Sequence, residues 1–133
     1  METRTEKILN LRDGSIGTIT NQSSAEEAFQ NQTLRPILKF QNDLFLQVFI
    51  NYAVKQKETF FALTTDKKMA YIDNVIQKDI KFRNSLKGII IGLFTIEEYN
   101  LYITNSSSLN KRMMNLLCER LKSQLLLLER NDY

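Results

Sequence analysis

The polar side chains between residues 35 and 43 are the ones whose types and spacing best suit ligand binding. Charged donors stand there beside amides that both donate and accept hydrogen bonds, and such a mixture can line a pocket for a small molecule. The candidate binding residues are Arg35, Lys39, Gln41, Asn42 and Asp43. Arg35, Lys39 and Asp43 also recur every four positions, so they equally fit the solvent-facing ridge of a helix, with Lys39 and Asp43 as a surface ion pair. The sequence leaves both interpretations open.

The triplet FQN occurs twice in the same region, at residues 29–31 and 40–42. Pro36 lies between the two copies, and because proline has no N–H it predicts two separate or kinked helices in place of one continuous ridge. We expect Phe29 and Phe40 to meet as core residues near this corner. The neighbouring amides are expected to satisfy backbone groups that the two helix ends leave unpaired.

The chain contains no histidine and a single cysteine, Cys118, and this composition excludes several reactions within one chain. Ser-His-Asp and Cys-His catalysis and histidine-ligated zinc or iron all need imidazole, and a site with two cysteine ligands needs a second thiolate. We therefore expect no catalytic residue set, no cofactor and no bound zinc, nickel or iron. Cys118 lies at the margin of a leucine stripe and is expected to be an inert core thiol.

Two pairs of adjacent glutamates, at residues 26–27 and 97–98, are the remaining candidates for acid–base chemistry. Ser24 and Thr95 each stand three residues before the second glutamate of a pair, which is the spacing of a capping box at the start of a helix. Acidic residues in a first turn also complement the helix dipole. Helix capping therefore accounts for both pairs.

Apolar residues recur at helical spacing through most of the chain and predict an all-α, single-domain bundle of about five or six helices. We expect an N-terminal arm over residues 1–22 and a helical domain over residues 23–133. Residues 36–55 are predicted to form the central helix, and residues 108–129 a long helix at one side. Residues 88–94 fit either a buried strand or a helix, and helix is preferred because no matching partner strand is present.

The last predicted helix carries a regular apolar stripe. Its members are Leu109, Met113, Leu117, Leu121, Leu125 and Leu128. Four consecutive leucines at residues 125–128 cannot all share one helix face. Leu126 and Leu127 are therefore predicted to form a second contact surface, for example a subunit interface.

The 133 residues, 43% of them hydrophobic, predict a packed globular chain. The net charge of +3 is spread over 18 basic and 15 acidic residues, and we do not expect nucleic acid as a main partner, since no standard binding motif is present. Lys67, Lys78 and Lys81 could form a ridge that touches phosphates weakly. The longest apolar run, residues 88–94, falls far short of the roughly 20 residues that cross a bilayer. We expect no membrane association and a cytoplasmic location.

The segments AFQNQTLRPILKFQNDLFLQVFINY, KGIIIGLFTIEEYNLY and RLKSQLL together resemble a family of short bacterial helical proteins, some of which are automatically named glyoxalase. The resemblance covers residues 28 to about 125. It implies a helical fold and, through that name, a small-molecule-binding protein or a glyoxalase-like lyase.

The first functional hypothesis is a non-catalytic interaction or oligomerisation module that binds a protein partner or a second copy of itself, because the sequence offers packing surfaces and no assembled reactive group. The alternative is a small-molecule-binding protein or glyoxalase-like enzyme. The third is a weak nucleic-acid-associated protein. A cavity lined by Arg35, Gln41, Asn42 and Asp43 would favour the alternative.

Overall fold

The computed structural model describes residues 2–12 and 24–130, and every regular element within them is helical. The α-helices are α1 Arg4–Leu11, α2 Ala25–Phe29, α3 Arg35–Phe40, α4 Asn42–Lys55, α5 Thr65–Lys78, α6 Ile80–Ile91, α7 Ile96–Ile103 and α8 Ser106–Lys122. A π-helical segment, Gln30–Leu34, joins α2 to α3, and short 3₁₀ turns span Thr59–Ala62 and Leu125–Leu127. The all-α prediction is confirmed. When α2, the π segment and α3 are taken as one rod, seven helices result, slightly more than predicted.

Side-chain caps fix where several helices begin. Thr95 accepts a hydrogen bond from the Glu98 N–H, and the Glu98 carboxylate accepts one from the Thr95 N–H, which is the capping box predicted for α7. Ser24 caps α2 by accepting a hydrogen bond from the Glu27 N–H, which is one of the two bonds of the capping box that the spacing predicts. Asp79 ends α5 and caps α6 through the Phe82 N–H.

Pro36 does not separate two helices. The backbone stays helical through residues 29–35, and the π-helical segment takes up the irregularity just before the proline. Pro36 cannot donate to the carbonyl four residues earlier, which belongs to Gln32. The Gln32 carbonyl instead accepts a hydrogen bond of 3.0 Å from the Arg12 Nη2 atom, so a side chain from α1 contacts the backbone at this point.

The change of direction falls at Gln41, between α3 and α4, where ψ is 6°. The two phenylalanines of the FQN triplets do not meet there, contrary to the prediction. Phe29 is buried with its ring 5.5 Å from that of Phe94, whereas Phe40 is 47% exposed. Phe29 therefore belongs to the core, and Phe40 lies at the surface.

The amides of the triplets also serve another purpose than the one predicted. Gln30 joins the π segment to α8, and Asn42 joins the start of α4 to the turn that follows α8. The Arg112 Nη1 atom donates to the Gln30 side chain at 2.9 Å, and Asn42 exchanges two hydrogen bonds of 2.8 Å with Gln124. Both contacts join residues 82 positions apart, so the segment from Gln30 to Asn42 runs parallel to the segment from Arg112 to Gln124.

The core lies around α4 and α8, as the sequence predicts. Phe49 of α4 is fully buried and has ring contacts with Phe60, Tyr71 and Phe82. The apolar stripe of α8 is buried from Leu109 to Leu121. The helix itself ends earlier than predicted, at Lys122, and a 3₁₀ turn follows.

Residues 88–94 begin as helix, and α6 ends at Ile91. A Cβ added at Gly88 would meet nothing within 4 Å, so the glycine does not mark tight packing against a neighbour. Within the described part of the chain, no helix is long and apolar enough to cross a membrane.

Candidate functional site

A surface cavity opens between α1, α2, the π segment, α7 and the start of α8. Its volume is about 600 Å³, within the range of roughly 300–1,000 Å³ that small-molecule sites occupy. We refer to it as the α7 pocket. Its described lining residues are Thr5, Leu9, Ala25, Glu26, Ala28, Phe29, Gln32, Thr33, Thr95, Glu97, Glu98, Leu101, Thr104, Asn105 and Leu109.

The position of α1 creates one wall of this pocket. Residues 2–12 are the described part of the predicted N-terminal arm, and within them Arg4–Leu11 form α1, capped by Thr3. Residues 1 and 13–22 of that arm lie outside the described residues. Arg4 donates to the carbonyls of Phe94 and Gly92, at 2.8 and 3.2 Å. These carbonyls follow the last turn of α6, so the arginine supplies donors that the helix end lacks.

A buried ion pair between Arg12 and Glu98 fastens α1 to α7. Arg12 is 4% exposed, and its two Nη atoms donate to the two Glu98 oxygens at 2.6 and 2.9 Å. Its Nη1 atom also reaches the Leu93 carbonyl at 3.3 Å. Planar two-point pairing of this kind is the strong geometry for a guanidinium and a carboxylate.

All the acceptor positions of Glu98 are occupied. Besides the two bonds from Arg12, Oε2 accepts from the Thr33 hydroxyl at 2.6 Å, and Oε1 accepts from the Thr95 N–H at 2.8 Å. Burial by itself raises the pKa of Glu98, but the hydrogen bonds from Arg12, Thr33 and Thr95 outweigh it and hold the pKa below its ordinary range. Glu98 is therefore an ionised structural group at the inner end of the pocket.

Glu26, at the rim, is also held by neighbours. Its Oε1 atom accepts from the Asn105 side chain at 2.6 Å, and its Oε2 atom accepts from the Arg112 Nε atom at 3.2 Å. Hydrogen bonding with Ser108 and Asn105, followed by Arg112, lowers the pKa of Glu26. This carboxylate connects α2 to α8.

Glu97 differs from both of these glutamates. It lines the pocket and is exposed, and no described residue donates a hydrogen bond to it or pairs with its charge. The neighbouring wall is apolar, with Leu101 one turn further along α7 and Leu9 across the opening on α1. Phe29 and Leu109 are buried deeper in the wall. The pocket thus combines a mainly apolar surface with one carboxylate, that of Glu97, which has no described partner.

The residues that the sequence singled out for binding do not share a pocket. Arg35 lines a smaller hollow of about 280 Å³ between α3 and α8, where its Nε atom donates to Asn31 at 2.9 Å. Asn42 is engaged with Gln124. Lys39 and Asp43 are exposed and are not paired with each other, and Gln41 is the half-buried residue at the bend.

The predicted interface leucines lie on the surface. Leu126 is 87% exposed and Leu127 59% exposed, on the 3₁₀ turn after α8, whereas Leu128 is fully buried. The turn explains why adjacent leucines differ, because it points the middle pair outward while Leu128 packs into the core. Their role as an interface stays a prediction.

The single thiol and the acidic groups of the described residues form no reactive cluster. Cys118 is buried, and burial, assisted by the charge of Asp73, raises its pKa to about 11. No group of three or more His, Cys, Asp or Glu residues in the described ranges is arranged to hold a metal ion.

Comparison with known proteins finds no family model, no curated protein and no solved structure that matches this chain.

Proposed function

We propose that this chain is a non-catalytic binding module whose α7 pocket receives an apolar small molecule. The observation that carries the proposal is the pocket itself, a cavity of about 600 Å³ whose exposed surface is mainly apolar, although nine of its fifteen described lining residues have polar side chains. It takes up the small-molecule alternative from the sequence, but at another place, because the residues at 35–43 do not converge.

The hydrogen bonds and ion pairs that the pocket carboxylates already make favour binding over catalysis. A general acid or base must be free to exchange a proton with the substrate, and it benefits from a pKa near the working pH. Glu98 and Glu26 instead hold neighbouring elements together, and the pKa of each is lowered. Of the three carboxylates on the described lining, Glu97 alone has no described partner, and one exposed carboxylate is not a catalytic pair.

A fluorescent probe that is apolar and uncharged at neutral pH, N-phenyl-1-naphthylamine, tests this proposal. We expect saturable binding at a single site in the native protein and loss of that binding in Ala28→Phe, which puts a ring into the cavity. Ala70→Phe, at an exposed position of α5, is the matched control and should bind as the native chain does. Equal binding by the native chain and Ala28→Phe, or no binding by the native chain, would contradict the proposal.

Self-association is the second candidate function, and a specific observation on α7 favours it. Ile96, Tyr99 and Ile103 are 61%, 44% and 54% exposed, and their spacing places them along one side of the helix. We name these three residues the outer stripe. An uncharged apolar stripe on a short helix can pair with the same stripe of a second copy around a twofold axis.

Sedimentation analysis of two variants distinguishes this surface from the leucine turn. Ile96→Glu/Ile103→Glu should abolish a dimer formed through the outer stripe, while Leu126→Ser/Leu127→Ser should abolish one formed through the predicted interface leucines. A native chain that stays monomeric at high concentration would exclude both dimers.

A further inference from the structure

We infer that the natural ligand of the α7 pocket is a cationic amphiphile, an apolar body with a protonated amine at one end. This inference rests on the proposed function and specifies the chemistry of the ligand. It follows from the charges on the pocket lining and from which of them are already neutralised.

The described lining contains three carboxylates and no lysine or arginine. Arg12 neutralises Glu98 and Arg112 neutralises Glu26, and neither arginine is among the described lining residues. One negative charge, that of Glu97, is left without a partner among the described residues. The local charge is therefore opposite in sign to the net charge of +3 on the whole chain.

The hydrogen-bonding capacity of the lining carboxylates also points to Glu97 as the residue that binds the ligand. The Glu98 carboxylate already accepts four hydrogen bonds, two at each oxygen, which is about the full capacity of the group. Glu97 accepts none from any residue in the described ranges, so among the three lining carboxylates it is the one available to a ligand. An ammonium group, with three donors and no acceptor, complements a free carboxylate better than a hydroxyl does.

The apolar lining residues next to Glu97 determine where the alkyl part of the ligand lies. Glu97 and Leu101 are separated by one turn of α7, so they lie on the same side of the helix. An amine bound at Glu97 can extend its alkyl chain past Leu101 toward Phe29 and Leu109. A carboxylate ligand would instead bring a like charge close to Glu97, which opposes binding.

Three probes with the same tail separate the head group from the apolar body: octylamine, octanol and octanoate. At pH 7 the amine is protonated and the acid ionised. By calorimetric titration we expect octylamine to bind about tenfold tighter than octanol, a difference of about 1.4 kcal/mol, and octanoate to bind most weakly. The net positive charge of the whole chain would favour octanoate, so a preference for the amine reports the local site.

Glu97→Gln should bring octylamine to within about threefold of octanol, because the variant removes the charge that distinguishes the two head groups. Glu119→Gln, an exposed carboxylate on α8 outside the pocket, should keep the preference for the amine. Ala28→Phe should weaken all three probes if they enter the cavity.

The results separate the two proposals. Binding of octanol with no preference for octylamine, or a preference that survives Glu97→Gln, overturns the inference and leaves the proposed function standing. Failure of all three probes to bind overturns both. Octanoate binding as tightly as octylamine would show that the ligand is not cationic.

Discussion

Replacement of Arg12 by methionine tests the structure most directly, because this side chain joins α1 to three other parts of the fold. Its guanidinium donates to both oxygens of Glu98 and to the carbonyls of Leu93 and Gln32. Methionine has similar length but no donor, so the variant leaves one ionised carboxylate and two carbonyls without these partners. The Gln32 carbonyl has an added need, because Pro36 cannot donate to it.

The expected loss of stability is large. The side chains of Arg12 and Glu98 are 3% and 15% exposed, so solvent screens their interaction little. Removal of one member of a buried ion pair typically costs about 3–5 kcal/mol, chiefly because a buried charge is left unpaired. For a chain of this size, 1 kcal/mol corresponds to about 4 °C in melting temperature, so we expect a decrease of about 12–20 °C.

Thermal and urea unfolding, followed by circular dichroism, measure this effect, and Arg4→Met provides the matched control. Arg4 also donates to backbone carbonyls from α1, but it is exposed and pairs with no buried charge, so its loss should cost about 1 kcal/mol. The double variant Arg12→Met/Glu98→Gln should be no less stable than Arg12→Met alone, because no charge is then left unpaired and the amide oxygen can still accept from the Thr95 N–H. A loss below about 1 kcal/mol in Arg12→Met, or additive losses in the double variant, would refute the buried pair.

Four further outcomes are expected. Phe29→Ala should lower the free energy of unfolding by about 3–5 kcal/mol in denaturant. Phe40→Ala should lower it by less than about 1 kcal/mol, because its ring is half exposed and not buried as the sequence suggested. Equal losses of stability in the two variants would contradict the placement of the two rings. Because the folded-state pKa of Glu98 is lowered, its contribution to stability is complete above the unfolded value of about 4.3 and is lost as the pH falls below it. Melting temperature against pH should show this acid loss, with a shallower slope in Glu98→Gln. Iodoacetamide at pH 8 should modify Cys118 slowly in the folded chain and rapidly in urea, since burial raises the thiol pKa to about 11; equal rates would place the thiol at the surface. Elemental analysis after dialysis should show no stoichiometric zinc, nickel or iron, and one retained equivalent would favour the glyoxalase-like alternative.

The helices and much of the core follow from local sequence pattern. The stripe from Leu109 to Leu121 repeats at helical spacing, and such a face has to be buried wherever the helix packs. The Thr95–Glu98 capping box involves atoms within one turn, so its spacing is enough to predict it. Features of this kind depend on residues that are near neighbours in the chain.

The bend of the central rod could not be located from the sequence. Proline is compatible with a kink, with a new helix and with a π-helical segment before it, and the local pattern does not select among them. The sequence places the bend at Pro36 and predicts a buried Phe40, whereas the bend lies at Gln41 and Phe40 is exposed. It also misdirected the interpretation of Asn42, whose partner Gln124 is 82 residues away.

The α7 pocket could not be predicted from the sequence for a similar reason. Its ion pair joins Arg12 to Glu98 across 86 positions, and a single arginine in a short charged segment gives no sign of burial. The one usable signal was the capping box, which placed Glu98 at a helix start. It could not show that the same carboxylate also binds a second helix.

The neighbouring glutamates of α7 show how the fold assigns different roles to identical residues. Successive residues of an α-helix point about 100° apart, so Glu97 and Glu98 cannot face the same surroundings. Glu98 turns inward, completes the cap and holds Arg12, and these bonds use its full accepting capacity. Glu97 turns toward the pocket opening and is not needed for any of those contacts. Substitution at 98 should therefore change stability, and substitution at 97 should change ligand binding alone, so one pair of conservative Glu→Gln variants separates the structural carboxylate from the proposed recognition group.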